Sequence, residues 1–207
     1  MDSQITLFLF AAIALILSPG QDTLYVITRG ISQGKVAGMI SALGVSLGII
    51  FHTLFAALGL SVVLQSSALA FSAVKYVGAA YLIYLGIRTL LNRKEWALQT
   101  DRRQISSIVL LTQGFVSNLF NPKVALFFLA FLPQFVTPNA GSPALQMTVL
   151  GLVYTLLGAI WLSCVGYFAG SMGHWVGRNT TALGLLRWLT GSVLVGLGVR
   201  LALPEHR

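Results

Sequence analysis

The stretch Ser18-Pro19-Gly20-Gln21-Asp22 places a proline, a glycine and an acid inside the first apolar segment of the chain. A second interruption, Asn121-Pro122-Lys123, stands inside a later one. Proline removes a helix donor and clashes with the turn before it, so each site ends one helical piece and begins another. Ser18 and Asn121 are both good N-cap residues, and each is followed by proline, which is favoured at the first helical position. The pattern predicts helix starts at Ser18 and Asn121, with Gln21 closing a capping box back onto the Ser18 backbone. Asp22 then projects from the first turn, near the positive end of the helix dipole.

The 207 residues are 56% hydrophobic and 9% charged, with a mean hydropathy of +0.83. A soluble core of this size does not use so much apolar sequence, which marks an integral membrane protein. A bilayer core of ~30 Å takes about 20 apolar helical residues. Segments at 5–27, 38–64, 69–91, 105–136, 145–172 and 182–203 approach that length, which predicts six transmembrane helices, with spans one and four broken at Pro19 and Pro122. The runs lack the alternating ten-residue signature of barrel strands, and the 21 glycines suit close helix packing. No Lys or Arg precedes segment one, and no small-residue cleavage site follows a short apolar run, so the segment is expected to be retained. Cys164, the one cysteine, offers no internal disulfide and reads as a small packing residue. The net charge of +8 comes from bases at the ends of spans, so membrane lipids rather than nucleic acid are the expected counterions.

The loop at 28–37 carries Arg29 and Lys35, the loop near 92–104 carries Arg93, Lys94, Arg102 and Arg103, and the loop near 173–181 carries Arg178, with Arg187 just beyond. The loops near 65–68 and 137–144 carry none. Positive loops stay cytoplasmic, which puts both termini outside, although Arg200 and Arg207 near the far end oppose that orientation. The hydrophilic stretch 92–104 divides a single transporter domain into a first unit of about 1–91 and a second of about 105–207. Lys75 to Arg88 (KYVGAAYLIYLGIR) aligns with Arg187 to Arg200 (RWLTGSVLVGLGVR), matching Leu82 with Leu194, Leu85 with Leu197, Gly86 with Gly198 and Arg88 with Arg200. Three spans per unit make the repeats inverted, and corresponding broken spans in inverted halves point to a binding site near the midplane. That site falls between 18–22 and 118–123.

Asp22 is a carboxylate within an apolar span, where it needs a partner, a cavity or a proton pathway. Lys123 sits in the first turn after Pro122, where a cation opposes the dipole and calls for an anion, either Asp22 or a substrate carboxylate. Together they suit a zwitterion, its carboxylate on Lys123 and helix amides, its ammonium on Asp22 or exposed carbonyls. Gln113, Asn118 and Asn121 precede the second break and can satisfy freed backbone groups or a ligand. Gly44-Val45-Ser46-Leu47-Gly48 has the G-x-S-x-G spacing of a hydrolase elbow, with His52 four residues on. It lies in a continuous apolar helix rather than a strand-to-helix turn, so Gly44 and Gly48 read as a packing face and His52 as a histidine satisfied at a helix interface. His52, His174 and His206 stand apart, no acidic pair occurs within a span, and no phosphate loop is present, so neither a metal site nor an ATP site is expected and no cofactor is implied.

These residues resemble a known family, the LysE/RhtB amino-acid exporters. The resemblance runs over essentially the whole chain through SPGQDTLYVITRGISQGKVAG, the glycine-spaced second span, KYVGAAYLIYLGIR and NLFNPKVALFFLAFLPQF. The family usually reads P-G-P followed by Asn or Asp. Pro19, Gly20 and Asp22 match that pattern, while Gln21 replaces the second proline. The resemblance implies a multi-pass protein of the bacterial cytoplasmic membrane that exports amino acids or close derivatives in exchange for protons. It implies no particular amino acid. Ser18, Pro19, Gly20, Gln21, Asp22, Asn118, Asn121, Pro122 and Lys123 are the expected substrate and proton site, with Gln113 and His52 as secondary candidates. A homo-oligomer is compatible with the sequence. Two other classes remain open: a metal-ion or small-ion carrier on a related scaffold, and an intramembrane serine hydrolase built on Ser46 and His52.

Overall fold

In the computed structural model, residues 2–60, 68–91, 104–137, 140–171 and 180–203 are described, and every regular element among them is helical. The first apolar segment forms α1 (Asp2–Leu17) and α2 (Gln21–Gln33), bent by 46° at the Ser18-Pro19-Gly20 break. The fourth forms α5 (Ser107–Leu119) and α6 (Pro122–Leu126), the latter continued by a π-helical turn (Phe127–Phe131) and a 3₁₀ turn (Leu132–Phe135), with a bend of 48°. Pro133, which lacks an N–H and crowds the preceding turn, stands where the π-helical stretch gives way to 3₁₀. Between and after these pieces lie α3 (Lys35–Phe55), which ends in a π-helical turn (Ala56–Leu60), α4 (Ala68–Leu91), α7 (Pro143–Ser171) and α8 (Thr180–Ala202).

Three of the described helices, Lys35–Gly59, Ser72–Leu91 and Pro143–Ser171, are long and apolar enough to cross a membrane, and the two bent pairs bring the number to five. The sixth expected segment is the 23-residue α8, laid along α4. Phe10, Leu58, Leu69, Leu91 and Phe120 are among the many large apolar side chains left exposed. A soluble monomer rarely shows so much apolar surface, and lipid is its natural solvent.

Helix α3 is the hub of one bundle, packed on α7, α5 and α2, and α2 also packs on α7. Glycine permits the closest approaches. A Cβ at Gly44 would meet the Leu111 carbonyl, and one at Gly114 would meet the Ser41 carbonyl, so α3 and α5 touch backbone to backbone. Gly44 and Gly48 therefore form the packing face expected of them. Helices α4 and α8 make a second unit, packed mainly on each other, whose principal outside contacts run to α1 and to the α6 stretch. Phe8, Phe127, Phe128, Phe131, Phe135 and Tyr154 fill the core where α1, α6 and α7 meet, with Phe127 and Tyr154 centroids 4.7 Å apart.

Three expectations change. The loop predicted at 28–37 is one residue long: α2 runs through Gln33, α3 starts at Lys35, and Gly34 alone turns the chain at φ 90°, ψ 175°. Arg29 is thereby a helical residue. Ser18 is not a cap, because α2 begins at Gln21 with Gly20 as N-cap and no side-chain cap bond. Pro19 lies in extended connection ahead of the helix rather than in its first turn. Cys164 is exposed on α7 rather than packed. Arg93, Lys94, Arg102, Arg103, His174, Arg178, His206 and Arg207 lie outside the described residues.

Candidate functional site

The two breaks meet. Asp22, in the first turn of α2 and 7% exposed, is gripped by the end of α5 and the start of α6. Ser117 Oγ donates to Oδ1 at 3.2 Å, while Asn118 Nδ2 and Asn121 Nδ2 donate to Oδ2 at 2.7 and 2.8 Å. Ser117 and Asn118 come from the last turn of α5 and Asn121 from the N-cap of α6, so the three donors reach Asp22 from both sides of the second break. These donors compensate a carboxylate that would be costly within the apolar bundle.

Asn121 has two duties. Its Oδ1 accepts from the Lys123 backbone N–H at 3.0 Å, the N-cap bond of α6 with Pro122 in the first turn, as the sequence predicts. Its Nδ2 holds Asp22. The cap of one broken helix is thus also a ligand of the carboxylate on the other.

Lys123 does not turn to Asp22. Its Nζ donates to the Leu15 carbonyl at 2.9 Å and to the Ser18 carbonyl, both at the end of α1. A helix leaves its last carbonyls without partners, and a cation there satisfies them and complements the dipole. The Pro19 carbonyl in turn accepts from Thr190 Oγ1 of α8. Every free carbonyl named at the first break is held by a residue more than a hundred positions away.

A second tier surrounds these groups. His52 Nε2 lies 3.2 Å from the Asn118 carbonyl and donates to it, with its ring stacked on Phe128 at 5.9 Å between centroids. A Cβ at Gly48 would come within 2.6 Å of Asn118 Oδ1, so only glycine leaves room for the asparagine that grips Asp22. Gln21 Nε2 reaches Ser117 across the break at 3.4 Å rather than its own helix cap. Gln113 stands further along α5, where it accepts from Arg29 Nη2 at 3.0 Å.

Two cavities flank Lys123. A cavity of about 410 Å³ lies between the breaks and the α4–α8 pair, lined by Gly20, Gln21, Asn121, Pro122 and Lys123 on one side and by Leu85, Arg88, Thr190 and Leu194 on the other. A much smaller one, about 30 Å³, lies towards α3 and α7 and is lined by Asp22, Thr23, Tyr154 and Lys123 among others. It has room for one or two waters at roughly 10–15 Å³ each. Lys123 lines both.

The structure therefore brings Ser18, Pro19, Gly20, Gln21, Asp22, Asn118, Asn121, Pro122 and Lys123 to one place, sets His52 behind Asn118, and leaves Gln113 outside. Ser117, Thr190, Arg88 and Tyr154 were missed. Ser117 was findable as a polar residue directly beside Asn118 near the end of an apolar segment. Thr190, Arg88 and Tyr154 carry no local signal, because their position depends on how distant helices dock.

A family model described as LysE type translocator matches residues 13–205. The uncharacterized membrane protein YrhP of Bacillus subtilis is 32% identical over 201 residues, covering 93% of this chain and 95% of its own. An uncharacterized membrane protein of Vibrio cholerae is 31% identical over 94% of both chains. The leucine efflux protein of Klebsiella pneumoniae is 29% identical over 94% of this chain and 92% of its own. No solved structure matches.

Proposed function

The chain belongs to the LysE type translocator family, and from that premise we propose that it exports amino acids or close derivatives in exchange for protons, by alternating access across the bacterial cytoplasmic membrane. It is a membrane translocator rather than an enzyme. The observation that carries the reading is the Asp22 carboxylate, gripped across both helix breaks by Ser117, Asn118 and Asn121. A buried acid with neutral donors can take up and release a proton without leaving a permanent ion pair unmatched. Protonation weakens the two asparagine bonds to Oδ2 and so loosens α2 from the end of α5 and the start of α6. Lys123, common to both cavities, connects the proton-bearing side to the substrate side.

Six spans in two inverted repeats supply the moving parts. The α4–α8 contacts support that repeat: a Cβ at Gly86 would meet Gly191 and Val195, and one at Gly198 would meet Ala79 and Ile83. The alignment of Gly86 with Gly198 exchanges one set for the other, as a twofold axis between the helices requires. The same alignment sets Gly78 against Thr190 and Leu201 against Thr89. Thr89 and Thr190 line the open cavity, whereas Leu201 is 0% exposed and Ala130 closes over Gly78. One of two equivalent surfaces is open and the other covered, which suits a single state of an alternating cycle. Positive loops inside and both termini outside make this the inward-facing state, its cavity opening at the end of α4 that leads to residues 92–104.

The test is transport by purified protein in proteoliposomes. Radiolabelled amino acids are screened by counterflow, then with an imposed pH gradient, and leucine belongs in the first panel because similar proteins are leucine efflux proteins. The expected result is exchange of at least one amino acid by the wild type, with gradient-driven accumulation lost in Asp22→Asn. Unchanged proton-driven accumulation in Asp22→Asn removes Asp22 as the proton carrier. Absence of all amino-acid exchange alongside divalent-cation uptake makes the protein an ion carrier instead.

A further inference from the structure

We propose that the 410 Å³ cavity selects neutral amino acids with apolar side chains and rejects basic ones, and that Arg88 joins Lys123 in holding the substrate carboxylate. The inference rests on the exporter reading and deepens it. The cavity volume lies in the range of about 300–1,000 Å³ typical of small-molecule sites. Its two charged lining groups, Lys123 and Arg88, are both cations. Asp22 is the one acid between residues 3 and 94, and its carboxylate is committed to Ser117, Asn118 and Asn121 and faces the smaller cavity beyond Lys123.

A carboxylate entering this space meets positive charge at the floor and at the mouth, where Arg88 is exposed. Among the described residues that line the space, a lysine or arginine side chain meets two cations and no carboxylate, in a low-dielectric site where like charges repel strongly. The remainder of the wall is apolar at three points from three helices, Leu24 of α2, Leu85 of α4 and Leu194 of α8. They converge on the space that the side chain of a substrate anchored at Lys123 would fill. Gln21, whose amide nitrogen is taken up by Ser117, offers its side-chain oxygen to the substrate ammonium. Thr89 and Thr190 add hydroxyls to that wall, the latter turned to the Pro19 carbonyl.

The experiment is counterflow in proteoliposomes with radiolabelled leucine, competed by unlabelled leucine, lysine, arginine and glutamate, on wild type, Arg88→Lys, Arg88→Gln and Arg88→Glu. Wild type is expected to exchange leucine, with lysine and arginine at least tenfold weaker as competitors. Arg88→Gln raises the leucine KM about tenfold with Vmax little changed, Arg88→Lys restores most of the affinity, and Arg88→Glu brings lysine into competition. Lysine competing as well as leucine in wild type, or glutamate competing better, overturns the selectivity while leaving the exporter reading intact. A fall in Vmax at constant KM in Arg88→Gln overturns the role of Arg88. Loss of all amino-acid exchange in wild type overturns the exporter reading and this inference with it. Elution of each variant as the wild-type species in detergent confirms that the exposed substitution leaves the fold in place.

Discussion

Asp22 owes its place to side chains that have little room to move. Asn118 leans over Gly48, and a Cβ there would come within 2.6 Å of Oδ1 and 2.7 Å of the asparagine Cβ. Gly48→Ala is therefore expected to displace Asn118, cost about 1–3 kcal/mol in overpacking, and weaken proton-driven transport as the 2.7 Å bond to Asp22 is lost. Thermal unfolding in detergent and transport in proteoliposomes check the two effects, and an unchanged variant in both assays rejects the role given to Gly48. Lys123→Ala is expected to do two things, because its ammonium serves the Leu15 and Ser18 carbonyls and also lines the larger cavity, the proposed substrate site. The unfolding temperature falls as the end of α1 loses its cap, and apparent affinity for the substrate carboxylate falls by tenfold or more. Equal affinity in the mutant counts against a carboxylate contact. Asp22 stood out in the sequence because acids are rare in apolar spans. The partners of Lys123 did not, since any helix end offers carbonyls and only docking decides which cation arrives.

At the scale of the element, Gly34 is the clearest case of backbone chemistry acting alone. It joins α2 to α3 at φ 90°, ψ 175°, a region open in practice only to glycine, and among the described residues no atom beyond its chain neighbours lies within 4 Å of where its Cβ would stand. Gly34→Ala is expected to cost about 1–3 kcal/mol without a steric clash. An unaltered midpoint in detergent unfolding would show that the chain relaxes there at no cost. The tight joint lets α2 run antiparallel to α5 with polar rungs along its length: Gln21 to Ser117, Tyr25 to the Leu110 carbonyl at 2.7 Å, Arg29 to Gln113, and Gln33 to the Ile105 N–H at 3.0 Å. Arg29 and Lys35 looked like loop residues because charge commonly marks a span end. The helix continues past Ile27 because these polar side chains find partners on α5, and periodicity within one segment carries no record of them.

For the whole molecule, the unequal packing of two units sets the expected motion. Helices α2, α3, α5 and α7 form an interlocked bundle through glycine contacts, whereas α4 and α8 pack mainly on each other. The cavity lies along that seam. Export is then expected to require the α4–α8 pair to rock against the bundle, closing Leu24 towards Leu85. In a Cys164→Ser background, which removes the exposed native thiol, a bifunctional thiol reagent bridging Leu24→Cys and Leu85→Cys is expected to arrest transport. Cleaving the bridge restores it. Full transport with the bridge in place means that the seam does not move.

Composition and hydropathy by themselves determined that the chain is a helical membrane protein, because burying roughly 20 apolar residues per helix in lipid is a local property of each segment. Proline chemistry likewise determined where spans one and four break, and the rarity of acids singled out Asp22. Only the tertiary structure decided that Gly20 rather than Ser18 opens α2, that Lys123 caps α1 instead of pairing with Asp22, and that Ser117, Arg88 and Thr190 join the site. The physical reason is range. Backbone strain and apolar burial are set within a few residues, whereas a buried polar group accepts whichever partner packing delivers, here from 95 to 171 positions away.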